Sequence, residues 1–135
     1  MRAIEWQTLA RKQKANHELR KSEEKNEAIC IGVIKLVENL PPNRTCNILG
    51  SQLLRAGTSV GANYRAACRA KSTADFISKM GTVEEEADES DYWTELLVDA
   101  GKLKLADASL LIKEAGELTA IAVSSIKTAR KSGGR

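Results

Sequence analysis

The sequence predicts an all-α protein, an antiparallel up-down-up-down four-helix bundle with an N-terminal arm or extra helix. Three observations carry this. Apolar residues recur at spacings of three and four through most of the chain, which is the helical period. Hydrophobic residues make up 42%, yet there are only one Phe, two Tyr and two Trp. The core must therefore be built from Leu, Ile, Val and Ala, which favours packed helices over a sheet sandwich. Finally, the only two prolines are adjacent, at Pro41 and Pro42, so a single point in the chain carries a hard helix stop. At 135 residues the chain suits one domain. The expected organisation is an arm over 1–25, the bundle over 26–130 and a flexible tail over 131–135.

Each element has its own signal. The first two dozen residues are polar and charged, with Ile4, Trp6 and Leu9 as large apolar anchors. From Asn26 the pattern changes: Ile29, Val33, Leu36 and Leu40 form the first stripe, which Pro41-Pro42 ends. Asn43 or Thr45 caps a second helix with Leu49, Leu53, Ala56, Val60 and Ala67 on one side. Ser72 or Thr73 caps a third, with Asp75 suited to its positive first turn. Phe76, Met80, Val83, Ala87, Ser90 and Leu97 make its seam, one step being skipped near Thr94, and Trp93 and Leu96 widen it. Gly101 ends that helix. Asp107 or Ser109 opens the fourth, whose face is Leu111, Ala115, Leu118, Ala122 and Ile126, and Ser132-Gly133-Gly134 marks a frayed tail. Short connections make neighbours in sequence neighbours in space.

Charge is segregated along the chain. Residues 1–25 hold seven Lys/Arg against four Asp/Glu, 26–100 hold seven against eleven, and 101–135 hold seven against three. Basic ends suit an anionic partner such as nucleic acid, with Arg11, Lys12, Lys14, Lys127, Arg130 and Lys131 as the candidate contacts. Aromatic residues are not interleaved with these cations, which disfavours base stacking on single strands. Six acids crowd eight residues from Glu84 to Asp91. Like charges so close repel, so Arg55, Arg65 and Arg69 of the second helix, in the same chain or in a neighbour, are their expected partners. The pair singled out is Arg65 with Glu89, with Arg69 and Glu86 beside it.

Gly57 and Gly61 lie one turn apart, and their bare faces let another helix approach closely. Ser59 and Asn63 share the middle of the same helix, where Asn is a poor helix former. They read either as a polar register pin between helices or subunits, or as a pair facing water beside the core. With Trp93 these residues complete the expected bundle or oligomer contacts.

The order of these residues resembles a family: small bacterial four-helix bundle proteins encoded in intervening sequences of large-subunit ribosomal RNA genes. The likeness runs from about Ser22 to Arg130. It rests on Gln52-Leu53, Ser59-Val60-Gly61-Ala62-Asn63, Arg69-Ala70-Lys71-Ser72 and Asp75-Phe76. Glu86-Ala87-Asp88-Glu89-Ser90-Asp91-Tyr92-Trp93 and Leu96-Leu97 extend it. Many relatives carry Ala-Glu-Gly where this chain has Arg65-Ala66-Ala67. The resemblance implies a protomer that assembles into a ring, commonly a homopentamer, with no established catalytic activity. The family is also similar in fold to the accessory protein of diversity-generating retroelements, a basic pentamer that works with a reverse transcriptase and nucleic acid.

Catalytic chemistry finds little footing. Di-iron bundles need Glu-x-x-His from two helices, and the sole histidine, His17, lies in the arm. A carboxylate-only Mg or Mn site is the one metal reading left open. No Ser, Cys and His arrangement suggests a triad, and no Gly-rich loop follows a strand. The expectation is no enzyme, no cofactor and no metal. Cys30, Cys46 and Cys68 read as reduced packing residues. No apolar run approaches the roughly 20 residues that span a bilayer, and there is no apolar leader segment, so a cytoplasmic protein without a membrane partner is expected. The function read from sequence is a self-associating, non-enzymatic scaffold for nucleic acid or a nucleic-acid enzyme. The alternative is a structural protein whose only partner is itself.

Overall fold

The computed structural model describes residues 2–133, apart from the side chains at 15, 16, 18, 19 and 133. Among the described residues the chain is all-α, with four helices and no strand: α1 Ala3–Glu38, α2 Arg44–Cys68, α3 Thr73–Asp99 and α4 Leu105–Gly133. Each helix packs on two others. α1 meets α2 and α4, α3 meets the same two, and among the described residues no Cα atoms of the diagonal pairs come within 8 Å of each other.

The helix ends follow local chemistry. Asn43 caps α2, its side-chain oxygen accepting from the Cys46 N–H at 2.9 Å, and Ser72 caps α3 by accepting from Asp75 at 3.0 Å. α3 ends in a Schellman turn: Lys102 N–H donates to the Leu97 carbonyl at 2.9 Å and Gly101 N–H to Val98 at 3.0 Å. Gly101 supplies the required left-handed backbone, with φ at 72°.

The separate arm expected over 1–25 is instead the first half of α1, which runs unbroken from Ala3. Residues 2–31 contain no Gly or Pro and are rich in Ala, Glu, Lys, Arg and Gln, so nothing breaks the helix where the apolar pattern stops. Every described side chain from Arg2 to Lys21 is exposed, and Asn26 is the first to be buried. α4 likewise begins at Leu105, ahead of the expected Asp107 or Ser109, and carries the expected tail as far as Gly133 in helix; residues 134 and 135 lie outside the described residues.

The core sits where the spacing places it. Ile29, Val33 and Leu36 of α1, Leu53, Ala56, Val60 and Ala67 of α2, Met80, Val83, Ala87 and Leu97 of α3, and Leu111, Ala115, Leu118, Ala122 and Ile126 of α4 are all buried. Ser90 and Thr94 are buried too, and each satisfies its hydroxyl within α3 by donating to the carbonyl four residues back at 2.8 Å. Thr94 therefore fills the step that the apolar pattern skips.

Candidate nucleic-acid and assembly surfaces

Contacts between α1 and α4 set the level of the two basic ends. Lys25 pairs with Glu117, and Lys21, Ser22 and Lys25 share a small cleft with Ile121. Residue numbers thus fall on α1 as they rise on α4. Arg11 to Lys14 lie on the order of 20 Å beyond Lys25 by helical rise, and Lys127 to Lys131 lie a similar distance beyond Glu117 on the same side. All six predicted nucleic-acid contacts are exposed, and they stand at one end of the molecule. Two of them have acidic company, since Lys127 and Arg130 line the α3–α4 groove with Glu84, Glu85 and Asp88.

The glycine pair of α2 faces α1. A methyl at Gly57 would meet the Val33 side chain at 2.7–3.0 Å, and one at Gly61 would collide with the Cys30 sulfur. The exposed carbonyls are used: the Cys30 thiol donates to Gly57 at 3.4 Å and the Asn26 amide to Gly61 at 3.3 Å. These are contacts within the chain, between α2 and side chains of α1.

Within the chain Ser59 and Asn63 bond to each other. Asn63 donates to the Ser59 carbonyl at 2.9 Å and to its hydroxyl at 3.0 Å, a closed local pair. Arg65 and Arg69 are exposed beside α1, bordering a groove with Asn26 and Cys30, and they do not engage the acids of α3. Arg55 does. It reaches Glu86 at 3.3 Å and Glu89 at 2.5 Å, and Trp93 donates its indole N–H to the same Glu89 at 3.1 Å. Held by Arg55 first and Trp93 second, Glu89 lies below the usual carboxylate range. Folding α2 onto α3 about Ala70 and Lys71 puts residue 55 near residue 86 and residue 65 near residue 76. That count, available from the sequence, would have chosen Arg55.

The other flank of α3 has no such relief. Among the described residues the ion pairs are Lys25–Glu117, Arg55–Glu86 and Arg55–Glu89, so Asp88, Asp91 and Glu95 make none, although Asp88 shares the α3–α4 groove with Lys127 and Arg130. Asp91 is half-buried and one carboxylate oxygen has no hydrogen-bond partner. Burial, then the charges of Glu95 and Asp88, push its carboxyl up to about 6. Sequence reasoning counted these acids without separating the two flanks.

The three cysteines are free thiols. Cys46 is buried and Cys30 half-buried, so both pack as expected, whereas Cys68 is exposed and is no packing residue. Burial pushes the Cys30 thiol up. Among the described residues no cluster of three or more His, Cys, Asp or Glu could hold a metal ion. Among them, too, no helix is long and apolar enough to cross a membrane.

Four helices, a continuous aliphatic core and charge divided between ends and flanks define an all-α protein. Residues 20–124 match the family described as 23S rRNA-intervening sequence protein. The chain belongs to that family. A crystal structure of a protein of unknown function from the S23 ribosomal protein family of Bacteroides thetaiotaomicron is similar, with 30% sequence identity and a TM-score of 0.75. The likeness covers 81% of this chain and 97% of that one. Comparison with curated proteins found no match.

Proposed function

We propose that this protein is a non-enzymatic, self-associating scaffold of the cytoplasm, built on an up-down-up-down bundle, that binds nucleic acid alone or together with a nucleic-acid enzyme. The opposed residue order at the Lys25–Glu117, Asn26–Gly61 and Arg55–Glu89 contacts supports the topology. The observation that carries the partner is the meeting of both basic chain ends at one end of the molecule. Phosphate contacts from Arg11, Lys12, Lys14, Lys127, Arg130 and Lys131 are sequence-blind and steeply salt-dependent. Five copies is the number that the family resemblance implies.

Sedimentation of the protein with a fluorescent RNA, at low salt and again at several-fold higher salt, tests the reading. Co-sedimentation at low salt that disappears at high salt is the expected result. Absence of binding at low salt, or binding indifferent to salt, overturns it.

The purely structural reading has an observation of its own. Ile31, Leu105 and Leu110 lie exposed on α1 and α4, a pattern that suits burial against another chain.

A further inference from the structure

Away from the basic end, α1 and α4 part to leave a cleft of about 880 Å³, lined by the apolar Ile31, Leu36, Leu103, Leu110 and Leu111 and bordered by Lys35, Lys102 and Lys104. Two of its apolar residues face out, Ile31 at 45% exposed and Leu110 at 64%, above the buried Leu36 and Leu111. Asp107 and Glu114 also border it, so the rim keeps a surplus of one cation over its acids. None of the three rim lysines appears among the ion pairs of the described residues.

On the outer side of α3 stands a ridge of the opposite character. Tyr92 is 56% exposed and is braced edge-on against Trp93, with ring centres 5.0 Å apart. Asp88 and Glu95 lie one turn either side of it, with Asp91 next to them on the flank toward α4. Among the described residues none of the three makes an ion pair, although Asp88 also borders the groove that Lys127 and Arg130 line.

We propose that the ridge around Tyr92 of one copy seats in the α1–α4 cleft of a second copy. The tyrosine is the anchor: a large ring of low conformational freedom, already held by Trp93, entering an apolar floor. The unpaired acids of the ridge meet the unpaired lysines of the rim, so each side supplies the charge that the other lacks. A chain cannot make this contact with itself, because the ridge is exposed on the outer side of α3 and the backbones of α1 and α3 do not approach each other. Ridge and cleft are different surfaces. The contact is therefore head-to-tail, leaving each pair with one free ridge and one free cleft, and such contacts close into rings or run on as filaments.

This inference rests on the self-association in the proposed function and is independent of nucleic acid. Its test is sedimentation velocity without RNA on the wild type, on a cleft variant, Leu110→Glu, and on a ridge variant, Tyr92→Ala with Asp88→Lys. All these positions are exposed, and circular dichroism confirms that the variants remain folded. The wild type sediments as a multimer and each variant alone as a monomer. An equal mixture of the two sediments as a dimer and goes no further, because one intact ridge and one intact cleft remain between them. If the wild type is a multimer and both variants stay multimers, this interface is wrong and the scaffold stands. Variants that fall to monomers yet never pair in the mixture overturn the head-to-tail geometry. A wild type that stays monomeric at high concentration overturns self-association altogether.

Discussion

α1 presents one flank to α2 and the other to α4, and the two seams are built on different principles. Toward α2 the fit is steric: Gly57 receives the branched Val33, Gly61 receives Cys30, and the glycine carbonyls take hydrogen bonds from Cys30 and Asn26. Toward α4 the fit is loose. A methyl placed on Gly32 would touch nothing within 4 Å, Ile31 stands exposed, and the Lys25–Glu117 pair lies near solvent. Shape holds the first seam, so its demands are exacting and local to the fold. The second leaves apolar surface and charge unused, which is what an assembly surface requires.

The sharpest attack on that contrast is Gly57→Ala. The new methyl runs into Val33, which is wholly buried and, being β-branched, has little rotamer freedom to retreat. Overpacking of this kind costs about 1–3 kcal/mol, and the better helix propensity of Ala returns up to ~1. A net loss of about 1–2 kcal/mol is expected in urea unfolding, relieved when Val33→Ala is added. A neutral Gly57→Ala means that the α1–α2 seam is no tighter than its counterpart.

Asp91 probes the α3 flank, where charge is left over. Its folded carboxyl titrates near 6, above its ordinary 3.8, so the folded state binds the proton more tightly than the unfolded state does. Below about pH 4 the group is protonated in both states and the fold carries no penalty. As pH rises through 6 the folded carboxylate must ionise half-buried, and stability falls. The shift corresponds to roughly 3 kcal/mol at face value, and about 1 once solvent screening of a half-exposed group is allowed for. Asp91→Asn should therefore unfold later than wild type at pH 7.5 and match it at pH 4. Equal gains at both pH values point to packing instead of ionisation.

The stripes legible in the sequence were those that need only one helix to interpret. Val33, Leu53, Val83 and Leu118 each follow from spacing along their own element, and each is fully buried. Quantities that need two helices were not legible in the same way. The acids of α3 were visible, but which arginine reaches them depends on register, and counting from the turn at Ala70 and Lys71 selects Arg55 over Arg65 and Arg69. Ser59 and Asn63 read either as a pin or as a pair facing water, because a polar pair in mid-helix needs partners, and one turn of helix lets them bond to each other. The arm looked separate because hydrophobic periodicity marks where a helix is covered, whereas its length depends on the absence of Gly and Pro.

Gly32→Ala sharpens the comparison from the open side. With nothing within 4 Å of the added methyl, only helix propensity acts, and a gain of about 0.5–1 kcal/mol is expected. Opposite signs for the same substitution on the two flanks of the α1 seams would be the cleanest evidence that one is closed and the other open. The urea midpoints of Gly32→Ala and Gly57→Ala, measured side by side, read this directly.

Arg55→Ala tests whether charge contributes to a closed seam at all. Its guanidinium bridges α2 to Glu86 and Glu89 on α3 across solvent-exposed space, where ion pairs gain little net stability. The melting temperature should barely move, less than for any substitution above. Yet Glu89, whose carboxyl is held down first by Arg55 and then by Trp93, should titrate closer to the ordinary glutamate range, as carboxyl chemical shifts followed against pH would report. A large drop in melting temperature with the Glu89 titration unchanged would mean that Arg55 supports the α2–α3 seam through its aliphatic stem, by shape and not by charge.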